Sequence, residues 1–234
     1  MKLGIFTYNF KHWKTQEGIF NLIMSNMKPD VMIAAEPEKL NFDTPPSKFR
    51  VSQKDLYLNH PKDIAEKFDI NYYVSKHNSE QTKDIIQKHN LDLGIILGAR
   101  ILKNICIKSF NIGVLNMHPG ILPVNRGLDN IKWAIEDNIS QGVTAHLIDS
   151  KIDKGFMVER EEIKIYKDDT LIDINSRIQN LEQKLMISSI KIIKERGSEN
   201  LEELGKGKYN KHIPWELEEN LMQKFEEYKN ARSN

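Results

Sequence analysis

At 234 residues the chain has room for one domain of ordinary size plus an appendage, and not for a second domain of full size. A formal net charge of +1 excludes the overall basic field of a nucleic-acid binder, and 39% hydrophobic against 29% charged residues excludes a disordered chain. No apolar run reaches the length of a membrane span, the stretch before Lys11 is too short for a signal peptide, and the single Cys106 forms no internal disulfide, so a cytoplasmic protein is expected.

Leu3, Gly4, Ile5, Phe6 and Thr7 read as a first, central strand. A helix over residues 16–27 follows, with Ile19, Phe20, Ile23, Met24 and Met27 at helical spacing, and then a short apolar strand over 30–35. This β-α-β opening argues for an α/β fold with a doubly wound, mostly parallel sheet. The loop between strand and helix carries Lys11, His12, Trp13 and Lys14. Lysine is a point-charge partner for phosphate and tryptophan a stacking surface, so Lys11 and Trp13 are candidates for clamping a substrate; a solvated loop with one Trp packed down fits equally.

Residues 37–60, with Pro45 and Pro46, have no sustained period and read as a loop. A helix over 61–68 has proline in its first turn, and 71–74 is a strand. Lys76, His77 and Asn78 then stand at a strand's carboxyl end, where an open α/β sheet binds ligands, while Ser79 can cap a helix over 80–89. Residues 91–97 form another buried strand, ended by Gly98, and Cys106 between Ile105 and Ile107 reads as a small core residue.

The informative stretch runs from Gly113 to Gly155. Val114 and Leu115 end a buried strand, with Asn116 and His118 directly beyond it. Residues at i and i+2 of an extended segment share a face, so these two polar groups can aim at one atom. Pro119 and Gly120 stop the strand. Arg126 and Gly127 follow in a loop, where the arginine is either solvated or lines the site. Asp129 can cap a helix carrying Ile131, Trp133, Ala134 and Ile135, with Trp133 read as core. A second strand over 143–148 contains His146 and leads into Asp149 and Asp153.

Asn116-x-His118-Pro119-Gly120, Leu122-Pro123, Arg126-Gly127, Gly142-Val143-Thr144 and the seven-residue spacing from His146 to Asp153 resemble the core of the 10-formyltetrahydrofolate-dependent formyltransferases. The resemblance implies a Rossmann-like core, 10-formyltetrahydrofolate as co-substrate, no metal, and Asn116, His118 and Asp153 as the catalytic set. It further implies folate contacts from Gly98, Arg100, Ile101, Leu102, His146 and Asp149, the first four through a backbone that meets the flat pterin. His146 also has a plain reading as a satisfied core histidine and a sharper one as an orienter of Asp153. The glycine-rich phosphate loop of the glycinamide ribonucleotide enzymes is missing after the first strand, and no segment is large enough for a tRNA-binding domain. Elimination within the family therefore points to a nucleotide-linked 4-amino-4,6-dideoxy sugar as acceptor, dTDP-linked before GDP-linked. Lys11, Trp13, Lys76, His77, Asn78 and Arg126 are then the candidate acceptor contacts.

In that chemistry the Asn116 amide donates to the formyl oxygen as the amine adds, protonated His118 supplies a second donor, and the Asp153 carboxylate helps pass the proton to the leaving folate nitrogen. A formyltetrahydrofolate hydrolase, a transferase for another small amine, and a binding module with a degenerate site are the alternatives. After a last strand from Gly155 to Ile165, Asp168, Asp169 and Thr170 open a long helix to about Arg196, followed by a hairpin or loop and a terminal helix. The expected division is a catalytic core over 1–167 and an appendage over 168–234. The stripe of Leu171, Ile174, Ile178, Leu181, Leu185, Ile192 and Ile193 is core or interface, and as interface it would make a homodimer.

Overall fold

The computed structural model describes residues 1–38, 48–149 and 155–233. Its central sheet follows the order β3-β2-β1-β4-β5-β7-β8-β9. The strands are β1 (Leu3–Tyr8), β2 (Val31–Ala35), β3 (Asn71–Val74), β4 (Leu93–Ile96), β5 (Gly113–His118), β7 (Gly142–Ile148), β8 (Gly155–Glu162) and β9 (Glu202–Glu203). Neighbours from β3 through β5 are parallel, and β7, β8 and β9 are added antiparallel. The winding reverses direction between β1 and β4, which opens a crevice at their carboxyl ends.

Strands covered on both faces are apolar throughout, and Ile5, Phe6, Ile33, Leu93, Ile95, Val114 and Leu115 are fully buried. On one face lie α1 (Trp13–Met24), α2 (Pro61–Lys67), the 26-residue α6 (Leu171–Arg196) and α8 (Leu221–Arg232), whose apolar side chains join Leu115 and Met117 in one cluster. The other face holds α3 (Glu80–His89) and α4 (Asn104–Ile107) over Phe6, Ile33 and Val114. Ser79 caps α3 by accepting from the Thr82 N–H, as its position predicts. Thr170 and Asp173 close a capping box on α6, a device worth about 1 kcal/mol.

Several local expectations give way to nonlocal partners. α1 begins at Trp13, so the expected loop is already helix there. β5 continues through His118, because β7 extends its ladder to the pair His118–Thr144. Asp129 does not cap α5 (Asn130–Glu136); its carboxylate accepts from the Ile213 N–H at 2.9 Å and pairs with His212 at 3.2 Å. Trp133 is half-buried rather than core, and donates its indole N–H to the Lys211 carbonyl at 2.7 Å. The short strands near the C-terminus form no hairpin. β9 pairs with β8, and β10 (Tyr209–Asn210) pairs in parallel with β6 (Arg126–Gly127). α7 (Trp215–Glu218) precedes α8. Most of the stripe on α6 is core: Leu171, Ile174, Ile178, Leu181, Leu185 and Ile193 are buried in the shared cluster, and Ile192 is half-buried. No described helix is long and apolar enough to cross a membrane.

Candidate active site

Asn116 and His118 alternate with Leu115 and Met117, which point into the α1 and α6 layer, so the two polar side chains share the opposite face. Across the antiparallel ladder Asn116 faces His146 and His118 faces Thr144, and directly paired residues lie on the same face. The Asn116 amide donates to His146 Nε2 at 3.2 Å, which makes Nε2 the acceptor and leaves the ring proton on Nδ1. That bond uses one of the two amide N–H groups. The rings of His118 and His146 meet edge to face with centroids 6.5 Å apart. A register shift at Ala145/His146 in the β7–β8 pairing bends the strand beside the site.

The turn after His118 is pinned from below by Thr144. Its hydroxyl donates to the Gly120 carbonyl at 2.8 Å and accepts from the Leu122 N–H at 3.0 Å. His118 is 3% exposed and its Nε2 lies 2.7 Å from the Asn125 carbonyl oxygen. A carbonyl can only accept, so Nε2 carries a proton. Asp153, the third member of the expected set, lies outside the described residues, and Asp149 is half-buried just beyond β7.

A cavity of about 860 Å³ opens on the same end of the sheet, bounded by Tyr8, Phe10, Glu36, Lys76, Asn78 and Arg100 among others. Tyr8 and Phe10 stack at 4.9 Å with an interplanar angle of 7°. Lys76 and Arg100 are exposed there, across a lining that also holds the carboxylates of Glu36 and Glu38. The other expected acceptor contacts distribute differently. His77 borders the cavity but is 5% exposed, with Nε2 donating to the Ile33 carbonyl and its ring packed edge-on against Phe6. Burial lowers its pKa below the ordinary histidine value. Asn78 spends its amide on main chain, donating to the Ile101 carbonyl at 2.8 Å and accepting from the Lys103 N–H at 2.7 Å. Arg126, in β6, is neither solvated nor in the lining of this cavity, and donates to the Gly207 carbonyl. Lys11 is exposed and Trp13 half-buried, both outside that lining.

Gly98 still belongs to the sheet edge, its N–H on the Phe6 carbonyl at 3.0 Å. Beyond it residues 99–103 leave regular structure; Leu102 is buried and Ile101 is 60% exposed. An exposed aliphatic side chain beside main chain outside any ladder fits the face and edge of a flat heterocycle such as the pterin of a formyl-folate. His12 lies against Gly98, where an added Cβ would sit 3.4 Å from its Nδ1; that nitrogen meets Thr15 Oγ1 at 3.1 Å, and burial followed by the charge of Lys14 depresses the His12 pKa. Among the described residues no three His, Cys, Asp or Glu side chains stand close enough to hold a metal ion.

Two contributions to the site were not read from the sequence. Lys14 donates to the Met117 carbonyl, and Asn125 with Asn130 surrounds the outer edge of His118. A lysine flanking a recognised loop and an asparagine inside Pro123-x-Asn125-Arg126 were the only local signals for them.

Residues 24–190 match the formyl transferase family. Methionyl-tRNA formyltransferase of Flavobacterium johnsoniae is 34% identical over 105 residues, which is 44% of this chain and 33% of that protein, so the chain matches only about a third of that relative's length. Among solved structures, a sugar N-formyltransferase from Shewanella sp. superposes over 96% of this chain and 87% of its own, with a TM-score of 0.62 at 18% identity. The formyltransferase PseJ from Anoxybacillus kamchatkensis, solved with UDP-4,6-dideoxy-4-formamido-L-AltNAc and tetrahydrofolate, superposes over 64% of this chain and 79% of its own, with a TM-score of 0.50 at 23% identity. At these identities the likeness is one of fold.

Proposed function

The chain belongs to the formyl transferase family, and on that premise we propose that it moves a formyl group from 10-formyltetrahydrofolate to the amine of a nucleotide-linked 4-amino-4,6-dideoxy sugar, dTDP-linked in the first instance, for a surface polysaccharide such as an O-antigen. The observation that carries this reading is the placing of Asn116 and His118 on one face of β5, at the sheet end where Lys76, Arg100 and the Tyr8–Phe10 stack border a large cavity. Two cations suit a diphosphate and stacked rings suit a base. The UDP-linked 4-formamido sugar and tetrahydrofolate bound by PseJ support a nucleotide-linked 4-amino sugar and a formyl-folate as the two substrates.

In this reading the uncommitted N–H of Asn116 donates to the formyl oxygen as it gains charge. His118, with Nε2–H held by Asn125, gains a second N–H at Nδ1 on protonation and donates from there. Removing one such donor typically lowers turnover by about 10²–10³. Asp153 takes the proton that leaves the amine and returns it to the departing folate nitrogen. The N–CHO bond to the folate breaks as the bond to the sugar amine forms. The main chain at Gly98, Arg100, Ile101 and Leu102 holds the folate, and His146 keeps the Asn116 amide in place.

The test is turnover of 10-formyltetrahydrofolate by the purified protein with dTDP- or GDP-linked 4-amino-4,6-dideoxy sugars, glycinamide ribonucleotide, methionyl-tRNA, or no acceptor. Selective turnover with a nucleotide sugar is expected, lost in Asn116→Ala, His118→Ala and Asp153→Asn. Turnover without acceptor would replace the transferase by a hydrolase, and near-normal rates in all three variants would sink the mechanism.

A further inference from the structure

His118 is held from the side of the loop that follows it, and that loop is held in turn by the C-terminal part of the chain. Asn125, 1% exposed, offers its main-chain oxygen to His118 Nε2 and its side chain to two other asparagines. Its Nδ2 donates to the Asn130 carbonyl at 2.8 Å, and its Oδ1 accepts from Asn130 Nδ2 and from Asn210 Nδ2, each at 3.3 Å. Asn130 Nδ2 also lies 3.1 Å from the Asn125 carbonyl oxygen and 3.2 Å from His118 Nε2. With Nε2 protonated, the second contact is between two donors that converge on one oxygen, and the arrangement is consistent only with a proton on Nε2.

Asn210 brings the C-terminal segment into this group. It is 2% exposed, pairs with Gly127 in the β10–β6 ladder, and accepts the Leu128 N–H on its carbonyl at 2.9 Å. Further links from the same segment run from Arg126 to the Gly207 carbonyl, from Trp133 to the Lys211 carbonyl and from Asp129 to the Ile213 N–H. Glycine is required at both ends of the arrangement. A Cβ on Gly120 would lie 2.8 Å from the Asn125 oxygen and 3.0 Å from His118 Nε2, and one on Gly127, whose φ is +100°, would lie 2.0 Å from the Asn210 oxygen. Asn210 Oδ1 is buried with no hydrogen-bond partner among the described residues. An amide half-satisfied in the interior is unfavourable, so its placement calls for a role that a small apolar residue would not fill.

We propose that Asn210 is a positioning residue for His118: acting through Asn125, it fixes the imidazole in the Nε2–H tautomer, so the C-terminal segment completes the candidate active site. The kinetic part of this inference rests on the reading of His118 as a catalytic donor; the tautomer does not. Asn210→Asp keeps the shape and sets a carboxylate oxygen against Asn125 Oδ1, so the bond is replaced by repulsion. Turning the Asn125 amide over gives no escape, because its Oδ1 would then face the Asn130 carbonyl. Asn210→Ser removes the amide with no new charge and serves if the aspartate variant does not fold.

The experiment is nitrogen NMR of the histidine side chains in full-length protein without substrates, with His118 assigned by its loss in His118→Gln, together with steady-state kinetics. A proton held on Nε2 is expected in the parent, and averaging of that proton between the two nitrogens in either variant. In the same variants kcat is expected to fall about tenfold or more while both KM values stay within about twofold, a split that loosening of the acceptor or folate pockets would not give. An unchanged His118 spectrum in both variants would overturn the proposal whatever the rates. A changed spectrum with unchanged kcat would keep the positioning and remove His118 from the chemistry.

Discussion

Lys14 Nζ lies 3.2 Å from the carbonyl oxygen of Met117, the residue between Asn116 and His118, and 2.7 Å from Glu182 Oε1 on α6. One ammonium thus ties α1 and α6 to the part of β5 that carries both candidate groups. The Glu182 side chain is 6% exposed, so it has few waters to replace the lysine. Lys14→Met keeps the aliphatic stem and removes the charge. The expected cost is about 1–3 kcal/mol, since a carboxylate is left without its charged donor. Formyl transfer should fall with it, and Lys14→Arg should recover part of both. Denaturant unfolding gives the first number, and an unchanged midpoint would remove the pair from the account of the site.

Cys106 provides a prediction that is independent of the acceptor. Burial pushes its thiol up to about 11, and its Sγ–H donates to the His77 carbonyl. The thiolate is the reacting species, and at pH 8 it is roughly one part in a thousand of such a group. Native protein should therefore react with an aromatic disulfide far more slowly than a free thiol, with one equivalent released on denaturation. Fast stoichiometric labelling of the folded protein would contradict the packing described around β4 and α4.

The readings that survived from the sequence rest on short-range physics, and those that failed were decided at long range. Asn116 and His118 were legible because an i, i+2 pair before Pro119-Gly120 needs only the period of a strand. The true end of β5 was not legible, because β7 supplies the partners of Met117 and His118 from nearly thirty residues downstream. Asp129 reads locally as a cap, yet its acceptor oxygen goes to Ile213, 84 positions away. The Asn125–Asn210 and Lys14–Glu182 contacts span 85 and 168 positions, and nothing in the local pattern of either partner announces them. The stripe on α6 was legible as apolar; whether it faced its own sheet or a second subunit depended on where the sheet lay.

His77 and His12 give the stability a pH dependence of definite sign. Burial is the first cause of depression in both, so each stays neutral in the fold at a pH where the unfolded chain takes up a proton. Wherever the unfolded state binds more protons, stability falls as pH falls. The loss therefore begins near the ordinary histidine value of about 6.5 and continues as pH drops toward the folded-state values. Melting temperatures at pH 7.5 and 5.5 should differ in that direction. His77→Gln, which retains a side-chain donor for the Ile33 carbonyl, should narrow the difference; an equal or wider gap would mean that other groups dominate the acid limb.

Thr144 is the point where a fold residue and the site become inseparable. It is fully buried opposite His118, and one hydroxyl serves both the Gly120 carbonyl and the Leu122 N–H. Valine matches its shape and cannot serve either. Two buried main-chain groups would then lack partners, at about 1–3 kcal/mol each. Thr144→Val should thus be destabilised by several kcal/mol and should slow formyl transfer, because the turn that carries Asn125 to His118 begins at Gly120. Thr144→Ser keeps the hydroxyl and loses one methyl, about 1 kcal/mol of burial, and should retain most of the activity. The comparison separates the hydroxyl from the volume. Equal stability of the valine and serine variants would show that the turn is held by something other than Thr144, and the account of how His118 is set against Asn125 would have to be rebuilt from the C-terminal side alone.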